Sequence, residues 1–279
     1  MNTAYNILIL SAGRRVSLLL GFKEALTKTG LAGQVFAADA APETSSACHM
    51  ADENFTLPYV NTPDYERVLL QLCQRRDIKM VVPTIDTELA VLAGLKPRFK
   101  AVGIDVIVSD PEFVAQCRDK RNTHDLFKSL DVRAPVLYDK TALKFPNFVK
   151  PYDGSLSVGA QLLESSEDLT EEILQNPRNI FCEYVDHETH DEFTVDLYYD
   201  RNSMLKCVVP RQRVQVRGGE VAKGLAIRNE IEPYLFKRMG HLDGAYGCLT
   251  LQLFRHAQTK EHQYIEINPR FGGGYPLSR

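Results

Sequence analysis

The sequence predicts an α/β protein with a Rossmann-like parallel sheet at its N-terminal end and a β-rich part after it. Three observations carry this. Residues 5–10, Tyr-Asn-Ile-Leu-Ile-Leu, make an apolar strand; Ser11-Ala-Gly-Arg-Arg15 turns it into a helix running to about Thr29, and residues 35–38 are a second strand ending at Asp39. That is the β-α-β opening of a doubly wound sheet. Near Ala134-Pro135 the alternation of strands and helices loosens. Toward the C-terminus, residues 248–254 and 264–268 alternate apolar and polar side chains with the period of two that marks half-buried strands.

Between these landmarks, residues 64–76 read as a helix, 80–83 as a third strand, 87–99 as a helix and 106–109 as a strand. Residues 110–130 carry one helical pattern with Asp119-Lys120 inside it. The domain boundary is expected there, giving an N-terminal domain over 1–112 and a second over 113–279. In the second, strands are expected at 145–150, 180–185 and 193–199, with Glu192 leading into the last and 200–203 turning out of it.

The bulk numbers exclude several classes. At 279 residues, 44% hydrophobic and 25% charged, the chain is neither disordered nor fibrous, and a net charge of -3 makes no global case for nucleic acid. No apolar run approaches the roughly 18 residues that span a bilayer, and the N-terminus reads as a strand rather than a leader, so a cytoplasmic protein is expected. The six cysteines show no Cys-x-x-Cys spacing, and His187 and His190 lack a third partner for a metal.

The stretch Tyr-Ile-Glu-Ile-Asn-Pro-Arg-Phe-Gly-Gly-Gly, residues 264–274, carries the clearest chemistry. In a strand, Ile265 and Ile267 would face a core while Glu266 and Asn268 project from the other side, about 7 Å apart. One carboxylate and one amide oxygen on a rigid strand suit a hard cation such as magnesium. Pro269 stops the ladder, Arg270 adds a permanent positive charge, and Gly272 to Gly274 allow close backbone approach. If residues 255–263 connect an antiparallel hairpin, Gln252 lies opposite Glu266 on the polar face. A solvated amphipathic hairpin is the plain alternative, but it has no use for the glycine-rich tail.

Weaker signals lie elsewhere. Gly13 stands without the other glycines of a dinucleotide fingerprint. In the loop Pro83-Thr-Ile-Asp-Thr-Glu88, Asp86 and Glu88 either contact a substrate amine or cap the following helix. Lys150 precedes a loop with Gly154, Ser155, Ser157 and Gly159 that can wrap polyphosphate or simply turn a hairpin. Lys206, Arg211, Arg213, Arg217 and Lys223 face the single acid Glu220, an imbalance that suits a polyanion; a solvated strand face accounts for only one or two of them.

In this order, Asp119-Lys120, the Lys150 to Gly159 loop, Glu183-Tyr-Val185, Glu192, Gln252 and Glu266-Ile-Asn-Pro-Arg270 resemble the ATP-grasp superfamily, and among its branches the carbamoyl-phosphate synthase large-subunit-like proteins. The resemblance covers nearly the whole chain. It implies an ATP-grasp fold of two α+β subdomains behind a pre-ATP-grasp domain, and an ATP-dependent ligase that activates a small carboxylate as an acylphosphate for attack by an amine. By the same resemblance, Lys120 and Lys150 touch the phosphates, Gly154, Ser155 and Ser157 belong to a lid over them, and Glu183, Tyr184 and Val185 meet the adenine. Glu192 accepts from the ribose hydroxyls, and Gln252, Glu266 and Asn268 hold magnesium or manganese. Arg270, with Arg211 or Lys223, steadies the transferred phosphoryl group. The partners implied are small acids and amines, with a possible homodimer.

This chain departs from that pattern in having one such unit, no glutaminase portion, and a longer spacing from Glu183 to Glu192. Relatives continue past the position of Arg279, so a truncated chain is expected. Two competing readings are an ATP-binding module without turnover and a nicotinamide-dependent oxidoreductase, the latter weakened by the missing glycines.

Overall fold

The structure is a computed structural model and describes residues 4–154, 158–217 and 220–278. Its first part contains β1 (Asn6–Leu10), α1 (Val16–Thr29), β2 (Val35–Asp39), α2 (Ser46–Met50), β3 (Asn54–Thr56), α3 (Tyr65–Arg75), β4 (Ile78–Val82), α4 (Asp86–Ala101) and β5 (Asp105–Val106). The strands form a parallel sheet in the order β3-β2-β1-β4-β5. β1 is buried at all five positions because helices cover both faces. Leu8 and Leu10 pack with Leu69, Leu72, Leu89 and Leu92 of α3 and α4, while Ile7 and Ile9 pack with Leu18 and Leu19 of α1.

Next come α5 (Pro111–Arg118) and α6 (Lys120–Ser129), where the sequence pattern suggested one helix. Asp119 breaks it: its backbone is extended, and its carboxylate accepts a hydrogen bond from the Arg121 N–H as the cap of α6. A small antiparallel sheet follows in the order β6-β9-β7-β8, built from β6 (Leu137–Tyr138), β7 (Asn147–Pro151), β8 (Gln161–Leu163) and β9 (Asn179–Glu183), with α7 (Glu171–Gln175) between the last two in sequence.

The largest layer is an antiparallel sheet in the order β12-β11-β10-β13-β14. Its strands are β10 (His190–Tyr199), β11 (Leu205–Arg217), β12 (Glu220–Ala226), β13 (Gly247–His256) and β14 (His262–Asn268), with α8 (Ile231–Met239) between β12 and β13. One face is the core, where Phe193, Val195, Leu197, Leu249, Leu251, Leu253 and Ile267 meet Phe113 and Cys117 of α5, Phe127 of α6, and Leu235 and Met239 of α8. The other face is polar and forms the floor of the candidate site. After β14 the chain crosses to the N-terminal sheet, where Phe271 lies edge-on to Phe22 at 6.0 Å.

The β5 strand ends at Val106, short of the 106–109 expected, and beyond it the Ser109 hydroxyl bonds to the backbone of Tyr246. Among the described residues no helix is long and apolar enough to cross a membrane.

Candidate active site

The expected pairing at the C-terminal hairpin is present: Gln252 faces Glu266, and Thr250 faces Asn268. Across β10 the row continues, with Thr194 opposite Gln252 on one side and Arg211 on the other. Side chains at alternate positions therefore line up on one face across four strands. One expectation fails. A bulge between Gln252 and Leu253 makes Ile265 the extra residue of β14, so Tyr264 takes the core position and Ile265 lines the cleft.

This face, the small sheet and the ends of β1 and β4 enclose a cleft of about 1050 Å³. Of the candidates named from sequence, Lys120, Lys150, Gly154, Glu192, Arg211, Gln252, Glu266, Asn268 and Arg270 line it. Glu183, Tyr184, Val185 and Lys223 do not. Glu183 is occupied at the end of β9, where its carboxylate accepts from the Val136 N–H at 3.1 Å and lies 3.7 Å from Arg133. Val185 is buried. Lys223 is exposed on β12. Ser155 and Ser157 lie outside the described residues.

The basic stretch does not act as one patch. Lys206 pairs with Asp200 at 3.1 Å and does not line the cleft. Arg211 is buried and holds Asp196 through two hydrogen bonds, at 3.1 and 2.9 Å. Arg213 lies 3.2 Å from Glu192. Burial pushes the Glu192 carboxyl up, with Arg213 opposing.

Glu266 has the opposite balance. Burial alone would raise its carboxyl, but Lys120 at 3.4 Å, Lys150 and a hydrogen bond from the Asn268 amide at 3.1 Å together hold it below the usual range. It is therefore a carboxylate at neutral pH. Lys120 also donates to the Gly154 carbonyl at 2.7 Å, tying α6 to the loop after β7.

Several site residues had no mark in the sequence pattern. Arg15, from the turn after β1, lines the cleft and donates to the Thr84 carbonyl at 3.3 Å. Asp196 carries Arg211, and Thr250 donates to the Arg270 carbonyl at 3.0 Å. The alternation of β10 and β13 signalled the polar face, but not these pairings. Asp86 and Glu88 part company. Neither caps α4, whose N-cap is Ile85 without a side-chain bond. Asp86 faces the cleft and accepts from Arg270 at 2.7 Å, while Glu88 turns inward to Ser11 and Tyr65.

Two features bear on a nucleotide and its metal. Arg270 Nε is buried without a hydrogen-bond partner, a donor that an anion in the cleft would satisfy. Among the described residues no group of three or more His, Cys, Asp or Glu side chains could hold a metal; in the cleft lining, Glu266 with the amide oxygens of Gln252 and Asn268 would offer a cation one carboxylate. That set suits magnesium, which takes one or two carboxylates and leaves its other positions to phosphate and water.

A parallel α/β domain, a small antiparallel sheet and a larger one meeting over a cleft of this kind make the ATP-grasp fold, the fold of the solved biotin carboxylases that the chain superposes on. More narrowly, residues 7–107 match the family described as PylC-like, N-terminal domain. The 3-methyl-D-ornithine–L-lysine ligase of Methanosarcina barkeri is 31% identical over 170 residues, which is 61% of this chain and 43% of that ligase. The chain thus spans less than half the length of this curated relative. The β,γ-ATP complex of biotin carboxylase from Campylobacter jejuni superposes with a TM-score of 0.73 at 14% identity, covering 98% of this chain and 67% of that one. The biotin carboxylase domain of Hydrogenobacter thermophilus 2-oxoglutarate carboxylase, solved with MgADP and bicarbonate, gives 0.72 at 15% identity, covering 98% and 66%. The ADP complex of N5-carboxyaminoimidazole synthetase from Staphylococcus aureus gives 0.70 at 16%, covering 99% and 74%. At such identities these structures establish the fold and not the reaction.

Proposed function

We propose that the protein is a magnesium- and ATP-dependent ligase that joins a small carboxylic acid to an amine through an acylphosphate, the chemistry suggested by its likeness to carbamoyl-phosphate synthase large-subunit-like proteins. One observation carries the reading: Gln252, Glu266 and Asn268 share one sheet face beside Lys120 and Lys150, with Arg270 at the end of the same strand. A site of oxygen ligands ringed by fixed cations is built for phosphoryl transfer, where catalysis is mostly positioning and charge stabilisation.

Lys120 and Lys150 hold the ATP phosphates. Gln252, Glu266 and Asn268 hold the metal, which when bound neutralises charge on the phosphates. The acid carboxylate attacks the γ-phosphorus, a P–O bond to it forms, and the bond to the β–γ bridging oxygen breaks to release ADP. Arg270 faces the transferred group through its unpartnered Nε. The amine, after losing one proton to water, attacks the acyl carbon; the C–N bond forms, the C–O bond to phosphate breaks, and the second proton leaves with phosphate. Arg211 serves less directly, since its guanidinium is bound to Asp196. Glu192 remains the candidate for the ribose hydroxyls. No side-chain nucleophile is required.

The Methanosarcina barkeri relative is named for joining two amino acids, so amino acids are the first acids and amines to try. The full chain is incubated with Mg-ATP, hydroxylamine and, in turn, amino acids of both configurations and short carboxylic acids. At least one acid should give ADP and an equal amount of hydroxamate. No acid-dependent ADP with any of them contradicts the proposal. A homodimer, also proposed from the resemblance, is tested by sedimentation.

A further inference from the structure

We infer that Asp86 receives the acceptor amine as an ammonium ion and so selects cationic amines for the cleft, an inference that rests on the ligase reading above. Asp86 begins α4, yet its carboxylate makes no cap bond to its own helix. Its loop is fixed on both sides. The Thr84 hydroxyl, fully buried, faces the carbonyls of Leu10 at 3.1 Å and Ser11 at 2.8 Å, and Glu88 accepts from the Ser11 hydroxyl at 2.5 Å. The carboxylate is thereby held at the carboxyl ends of β1 and β4, where the strand order of the sheet reverses and open α/β sheets present groups to ligands.

The other carboxylates lining the cleft are matched within the β-rich part: Glu266 with Lys120, Glu192 with Arg213, Asp191 with Gln212 and Arg255. Among the described residues, Asp86 is the lining carboxylate that comes from the N-terminal sheet, and its ion pair crosses to Arg270. Its side chain is 19% exposed, open enough to exchange that partner. Lys120, Lys150 and four arginines line the same cleft, a field that repels an ammonium everywhere but beside a carboxylate. Once an acylphosphate draws Arg270 toward its own oxygens, Asp86 is released within reach of the acyl carbon. It then accepts hydrogen bonds from the nitrogen before and after the proton passes to solvent.

The test uses the full chain and the acid giving the most hydroxamate, with methylamine as the cationic nucleophile and hydroxylamine as one that is neutral near pH 7.5. Asp86→Asn keeps the shape and removes the charge. It should lower kcat/KM for methylamine by about 10- to 100-fold, through KM, and by about tenfold or more beyond whatever it takes from hydroxamate formation through Arg270. Asp86→Glu should recover part of the methylamine rate, and Mg-ATP affinity and melting temperature should hold in both variants. Equal loss with both nucleophiles assigns Asp86 to Arg270 or to domain packing and overturns the inference. So does loss with neither, or a native protein that forms hydroxamate but no methylamide. A native protein that forms no hydroxamate with any acid fails one step earlier, and takes the ligase reading with it.

Discussion

Glu266 is the residue on which the site depends most. It is a partly buried carboxylate kept ionised by two lysines, so neutralising it removes the proposed metal ligand and leaves Lys120 facing an amide. Glu266→Gln should lower Mg-dependent ATP turnover by at least about 100-fold while melting within a few degrees of the native protein. Normal turnover in a steady-state ADP assay would sink the metal assignment. Lys150→Ala should weaken Mg-ATP binding by about tenfold or more, from the loss of one charge-assisted contact, as read by calorimetry. An unchanged affinity would return the loop after β7 to a simple turn.

Glu88 offers a test in stability rather than activity. Burial pushes its carboxyl up to about 7, against the opposing hydrogen bonds from Ser11 and Tyr65. Between its ordinary value and about 7 the folded chain keeps a proton that the unfolded chain has lost, so this residue makes stability fall as pH rises through that window. Glu88→Gln should remove about 3 kcal/mol of that fall. Denaturant titrations of both proteins at acid and mildly alkaline pH measure it; parallel pH profiles would show that Glu88 does not titrate in the window.

At the level of elements, the alternation of apolar and polar residues was enough to read the hairpin of β13 and β14 and the pairing of Gln252 with Glu266. It could not show the bulge at Ile265, because a bulge inserts a residue without altering which types are present. The break at Asp119 was equally hidden. Apolar residues on both sides keep helical spacing, and only the cap geometry reveals two helices. Short β3, β6 and β8 carry too few residues for a period to register. The candidate site was legible at Lys120, Lys150, Gln252, Glu266 and Asn268, which the sequence order singles out and the structure brings together in the cleft lining. It was not legible in Arg15 and Asp196, whose roles arise from cross-strand and cross-domain neighbours. The glycine run after β14 belongs to the same scale. A Cβ at Gly274 would stand 1.7 Å from Arg211 Nη1 and 2.7 Å from its Cζ. Gly274→Ala must push Arg211 off Asp196 or shift the loop, and should cost about 1–3 kcal/mol by overpacking, together with loss of turnover. A variant that melts and turns over as the native protein does would show that the loop has room to move.

For the whole molecule, the arrangement is two walls facing one cleft. The second part supplies Lys120, Lys150, Glu192, Gln252, Glu266 and Asn268, and the N-terminal sheet supplies Arg15 and Asp86. The walls are joined by the Asp86–Arg270 ion pair, by the contact of Asp105 with Arg201 and Tyr246, and by Phe271 against Phe22. The proposed reaction turns on activation of the acid by phosphoryl transfer. The direct measurement is the fate of oxygen: the acid that releases ADP is labelled with ¹⁸O in its carboxylate and converted to amide with Mg-ATP. If the acid passes through an acylphosphate, inorganic phosphate carries one labelled oxygen for each amide formed. Unlabelled phosphate, or label found in AMP, would contradict it.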